Sequence, residues 1–138
     1  MTLLSIPESA LAWVRAYNAR DLDALMHCYD EHAVNIQHPW GRTVRGRAAI
    51  RGVYERTFAC FPDIALRVEA LTANDSAAAI QWEFSGTMQG EFAGHAPTGR
   101  RFQLRGCEVL RFSEGRVVEQ NGYWDQATMF RQLGLPQG

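Results

Sequence analysis

Apolar residues in the first sixty positions of this chain recur every three or four residues, and from Pro62 onward they recur every second one. The helical period opens at Ser5-Ile6-Pro7-Glu8, a capping box with proline at an early helical position. Ala10, Leu11 and Val14, with Trp13 and Tyr17, carry it to about Ala19. Asp21 is placed to cap a second helix over residues 22–29, with Leu22, Leu25, Met26 and Tyr29 on its apolar face. A short strand, 33–37, ends at His38-Pro39-Trp40-Gly41, and a third helix, 48–60, presents Ile50, Val53, Tyr54 and Phe58 on one side. In the alternating part, Ile64, Leu66, Val68 and Ala70 form one run. Ala78, Ile80, Trp82, Phe84, Gly86 and Met88 form the next, after an Asn74-Asp75 turn. A Gly- and Pro-bearing loop, 90–99, precedes strands at 101–112 and 116–123 that meet at Ser113-Glu114-Gly115. A last helix, 126–133, has Gly134 as its cap. The order is helix, helix, strand, helix, four strands, helix. It predicts one α+β domain over residues 1–138: a strongly curved, mostly antiparallel sheet wrapped around helices into a cone with an open mouth.

Composition narrows the functional classes. The chain has 138 residues, 46% of them hydrophobic and 21% charged, which is enough for one core. A net charge of −1 gives no field that favours nucleic acid or an anionic membrane. Arg42, Arg45, Arg47 and Arg51 are the densest basic group, read as a solvated loop and helix start or, alternatively, an anion site. No apolar run approaches the ~20 residues of a membrane span. The N-terminus lacks a basic segment followed by a long apolar one, so no signal peptide is expected. Cys28, Cys60 and Cys107 are far apart and sit in apolar contexts. They read as reduced core residues of a cytoplasmic protein.

Several residues are candidates for chemistry. Asp125 follows Tyr123 and Trp124, and apolar surroundings there would raise its pKa into a range useful for proton transfer. Its competing role is the N-cap of the last helix, bonded to the Thr128 amide. Glu108, in one unbroken strand period, shares a face with Phe102, Leu104, Leu110 and Phe112, so a buried carboxylate is expected unless a bulge near Gly106 shifts the parity. Arg105 is placed to neutralise Glu108 or hold an enolate oxygen. His38, at a strand end, is either a proton shuttle or a rim residue. Asn121 and Tyr123, on one strand face, are candidates to orient a carbonyl oxygen. Trp13, Tyr17, Trp40, Tyr54, Phe58 and Trp82 read as the lining of a cavity for a flat ligand, or as ordinary core. His27 and His32 are five apart and no HxH or HExxH occurs, so no metal site is expected. No P-loop, GxGxxG or Ser-His-Asp arrangement is present.

Taken in order, Tyr17-Asn18, Asp21, His38-Pro39, Gly46, Pro97-Thr98-Gly99, Arg105-Gly106, Arg111-Phe112, Gly115-Arg116-Val117, Glu119, and Asp125 seven residues before Gln132-Leu133-Gly134 resemble the SnoaL-like polyketide cyclases of the nuclear transport factor 2-like superfamily. The resemblance implies a conical α+β barrel, usually a homodimer, with a deep pocket and no cofactor or metal. Its cyclases close polyketide rings by intramolecular aldol addition, with a pocket aspartate as the acid/base group. Two departures stand out. Asn121 and Gly122 occupy places where many cyclases carry Trp-Asp. Arg105-Gly106-Cys107 replaces the Arg-x-Asp of the epoxide-hydrolase relatives. The expectation is an acid/base cyclase or isomerase acting on a small hydrophobic carbonyl compound, with Asp125, Glu108 and His38 as candidate catalytic groups. The alternative is a non-catalytic ligand-binding or dimerisation module of the same fold.

Overall fold

The computed structural model describes residues 3–136; the ends of the expected domain, residues 1–2 and 137–138, lie outside them. Ser5 caps α1 (Ile6–Ala19), accepting the Glu8 amide at 3.2 Å. Asp21 caps α2 (Leu22–His27) through the Ala24 amide at 3.1 Å. β1 (Tyr29–Gln37) and β2 (Arg42–Arg45) form a hairpin, α3 (Arg47–Cys60) follows, and β3 (Ala65–Ala73), β4 (Ala77–Thr87), β5 (Arg101–Ser113) and β6 (Arg116–Trp124) form a meander. The β5–β6 turn has positive φ at both Glu114 and Gly115, the twist that suits a two-residue hairpin. α4 (Gln126–Leu133) closes the chain, with Gly134 as its left-handed C-cap.

The six strands lie in the order β2-β1-β6-β5-β4-β3, antiparallel except for β1 beside β6. The sheet curls around α1 and α3 without closing. The expected α+β architecture therefore holds, as an open curved sheet. Its concave face carries the core: Ile80, Trp82, Phe102, Leu104, Leu110 and Val117 from strands meet Trp13, Tyr17, Ile50 and Tyr54 from helices. The three cysteines are free, with Cys60 buried and the other two half-buried. Among the described residues no helix is long and apolar enough to cross a membrane.

Three local readings change. Tyr29 begins β1 instead of ending α2, because its buried hydroxyl is tied to the tail of the sheet through Gln120. Arg42–Arg45, expected as loop, is a strand paired with β1, although its side chains are mostly exposed and give no apolar alternation. A register shift between Val68 and Ala70 turns Leu71, not Ala70, toward the concave face. Near Gly106 no shift occurs: β4 and β5 pair without interruption from Ala77 with Arg111 to Thr87 with Arg101.

Candidate active site

The concave face leaves a cavity of about 520 Å³ between the sheet, α1 and α3, with Trp40, Phe92 and Met129 at its other walls. All four tryptophans of the chain, Trp13, Trp40, Trp82 and Trp124, line it. Two glycines make room for this lining. A Cβ on Gly106 would strike the Trp82 ring and the Tyr123 carbonyl, and one on Gly122 would land on the Gln37 amide. The Gly106 approach, to a ring and a backbone carbonyl, is one that only glycine permits, whereas at Gly122 the obstructing atoms end a flexible side chain. Trp82 Nε1 is buried without a hydrogen-bond partner among the described residues, so the wall holds an unspent donor.

Glu108 lies on the cavity floor, 3% exposed. The unbroken β4–β5 register places it between Ile80 and Gly122, pointing inward with Leu104 and Leu110. Gln120 Nε2 donates to its Oε2 at 2.7 Å and Gln37 Nε2 to the same oxygen at 3.3 Å. Both amides are fixed from behind. The Tyr29 hydroxyl donates to Gln120 Oε1 at 2.5 Å, and Trp124 Nε1 donates to Gln37 Oε1 at 2.9 Å. Each amide oxygen is thereby claimed by a donor, which turns each NH₂ toward the carboxylate. Tyr29 has one proton and spends it on Gln120, so Tyr54, at 2.6 Å, donates to Tyr29, as does Trp13 Nε1 at 2.9 Å. One proton of each amide is directed at Glu108 Oε2, while the other goes from Gln120 to the Tyr54 hydroxyl at 3.5 Å and from Gln37 to Asn35 Oδ1 at 2.9 Å. A proton on Glu108 therefore sits on Oε1, the oxygen that receives neither amide.

Burial pushes the Glu108 carboxyl up from 4.5 to about 7, against the pull of the Gln120 and Gln37 amides, which favour its charged form. Among the described residues no cation pairs with it, so desolvation decides the sign. Burial likewise holds the Tyr17 and Tyr29 hydroxyls well above their ordinary range, so both stay protonated at neutral pH, and Tyr29 donates to Gln120.

The expected site residues divide between the two faces of the sheet. Trp13, Tyr17, Trp40, Tyr54, Trp82 and Glu108 come together around the cavity. Phe58 packs against Tyr17 and Tyr54, at ring distances of 5.4 and 6.0 Å, outside the lining. Asp125 lies elsewhere. It is the N-cap of α4, with Oδ1 accepting the Thr128 amide at 3.2 Å and Oδ2 the Thr128 hydroxyl at 2.8 Å. These bonds hold its carboxyl below the usual range, the opposite of the shift expected for a pocket acid. His38, Asn121 and Tyr123 sit together on the convex face: His38 Nε2 meets Asn121 Oδ1 at 2.8 Å and the His38 ring stacks on Tyr123 at 4.6 Å. Arg105 is also on that face, bonded to Glu69 at 3.0 Å, because β5 parity sends 105 and 108 to opposite sides. Gln37, Gln120 and Trp124 join the site without having been candidates. The alternation of Gln120, Gly122 and Trp124 is in the sequence, but two of the three are not apolar and the run does not read as a buried face. Among the described residues no group of three His, Cys, Asp or Glu side chains is placed to hold a metal ion.

The model of the SnoaL-like polyketide cyclase family matches residues 8–133 of the chain. AclR of Streptomyces galilaeus, a proposed hydroxylase, is 30% identical and superimposes with a TM-score of 0.81 over 96% of this chain and 100% of its own. IdmH of Streptomyces antibioticus, a proposed polyketide cyclase, is 28% identical with a TM-score of 0.82 over 96% and 100%. A Catenulispora acidiphila protein with the ketosteroid isomerase-like fold is 21% identical, with a TM-score of 0.82 over 96% of each chain. The fold of this chain is the same. None of the curated proteins matches it.

Proposed function

We propose that this chain, which belongs to the SnoaL-like polyketide cyclase family, is an acid/base enzyme that closes or isomerises a small hydrophobic carbonyl compound through Glu108, without a cofactor. The observation that carries the reading is one carboxylate, buried on the floor of an apolar cavity, with both amide donors on one oxygen and the other turned free. A carboxyl that titrates near 7 is partly ionised at neutral pH, where a general base is most effective. Glu108 Oε1 would take a proton from the carbon next to a carbonyl, leaving an enolate. Returning that proton to a different carbon isomerises the compound. Attack of the enolate carbon on a second carbonyl of the same molecule forms a ring, and the proton then passes from Oε1 to the new alkoxide. In neither case is a proton lost or gained overall. The four tryptophans would hold a flat ring system against this oxygen.

Glu108 gives the cavity an acid/base group that a purely apolar floor, suited to a carrier, would lack. Exchange of α-protons tests the reading without knowledge of the natural substrate. In D₂O, 1-tetralone should take up deuterium faster with the protein than in buffer. Glu108→Gln should remove the excess, a loss of about 10²-fold or more for a general base. Asp125→Asn, which keeps the cap, should retain it. Exchange that is equally fast with Glu108→Gln would sink the assignment.

A further inference from the structure

The basic run Arg42, Arg45, Arg47 and Arg51 splits in the folded chain. Arg51 is paired with Asp23 at 2.9 Å and Glu55 at 3.2 Å. Arg47 donates to the Tyr29 carbonyl at 3.4 Å. Arg42 lines the cavity instead, and so does Arg56, one turn before the end of α3, a helix that packs on β2. Both are exposed, and neither makes an ion pair or side-chain hydrogen bond among the described residues. Arg42 is the ladder partner of Gln37, the residue whose amide reaches Glu108, so both belong to the same strip of the β1–β2 hairpin. One carboxylate, Glu91, shares the rim, leaving two guanidinium groups against one acid. The lining thus runs from cationic at the exposed mouth, through aromatic walls, to the buried carboxylate. An uncharged ligand would leave both arginines idle.

We propose that the substrate is an amphipathic organic acid, with a flat apolar body in the cavity, a free carboxylate held at the mouth by Arg42 and Arg56, and its reacting carbonyl inward beside Glu108. This rests on the acid/base reading of the site and narrows its substrate. Guanidinium forks bind carboxylates through paired, charge-assisted hydrogen bonds, which an ester of the same shape cannot accept as well. The polarity also orients the ligand: a carboxylate placed inward would meet Glu108, a like charge in a dry site.

Calorimetric titration with 2-naphthoate and its methyl ester, which share one apolar body, tests the assignment. The acid should bind about tenfold more tightly than the ester, with the difference shrinking as salt rises. The double variant Arg42→Gln/Arg56→Gln should bring the acid down to the affinity of the ester and leave the ester unchanged, which also shows that the cavity is intact. Glu108→Gln should keep the preference for the acid. Equal binding of acid and ester, a preference that survives the double variant, or binding of neither overturns the proposal. Equal binding together with Glu108-dependent exchange of 1-tetralone, a neutral ketone, would overturn the carboxylate assignment and leave the acid/base reading standing.

Discussion

Glu108 is held between two opposed effects, and its neighbours set the balance. Desolvation favours the protonated form, and the Gln120 and Gln37 amides favour the charged one. Gly122 is part of this balance because Gln37 occupies the space of the Cβ it lacks. The obstructing atoms are the far end of a flexible side chain, so Gly122→Ala should fold, with Gln37 swung aside. Glu108 would then keep one donor, and its pKa should rise above that of the wild type, as read by carboxyl-carbon NMR; an unchanged value would show that Gln37 contributes nothing. At this scale the sequence was half legible. The inward face of Glu108 followed from strand parity, and the capping role of Asp125 from Thr128 three residues on. Gln37 and Gln120 were not legible, since a glutamine in a strand looks solvent-facing until register brings a buried tyrosine and a tryptophan behind it.

At the scale of elements, helices with side-chain caps and strands with strong alternation were readable from the sequence. α1, α2 and α4 begin at Ser5, Asp21 and Asp125, each bonded to an amide three residues on. β4 and β5 keep one register throughout, so counting by two along either strand gives the correct face. The failures share a cause, which is pairing that local pattern does not encode. β2 is an edge strand held by β1, and its exposed arginines carry no apolar signal. β1 and β6 are parallel neighbours more than eighty residues apart in several of their pairs, among them Val34 with Glu119. The β5–β6 register shift between Arg111 and Phe112 buries Val117 and sends Glu119, Asn121 and Tyr123 to the convex face. Asn121 and Tyr123 were expected beside the ligand because alternation was read without knowing which phase of the strand faces the core.

For the whole molecule, one buried acid makes stability depend on pH. The folded state holds the Glu108 proton up to about 7, whereas the unfolded chain releases it near 4.5. Between those values the folded state binds more protons, so stability falls as pH rises, fully retained below the lower value and levelling off above the higher. The size is roughly 3 kcal/mol from the displacement of the pKa, as an order of magnitude. Urea unfolding at a series of pH values should show this decline on top of the other titrations, and Glu108→Gln should flatten it. A decline of equal size in the variant would place its origin elsewhere. The same acid is asked to serve catalysis, so the protein would be least stable at the pH where its base is most fully ionised.

The most direct measurement of the central claim is the titration of Glu108 by carboxyl-carbon NMR in the free protein, with Glu108→Gln identifying the signal. The midpoint should lie near 7, with Asp125 titrating below the ordinary aspartate range. A Glu108 midpoint at or below about 4.3, the value of a model glutamate, would mean a solvated carboxylate and would contradict the assignment of this residue as the acid/base group.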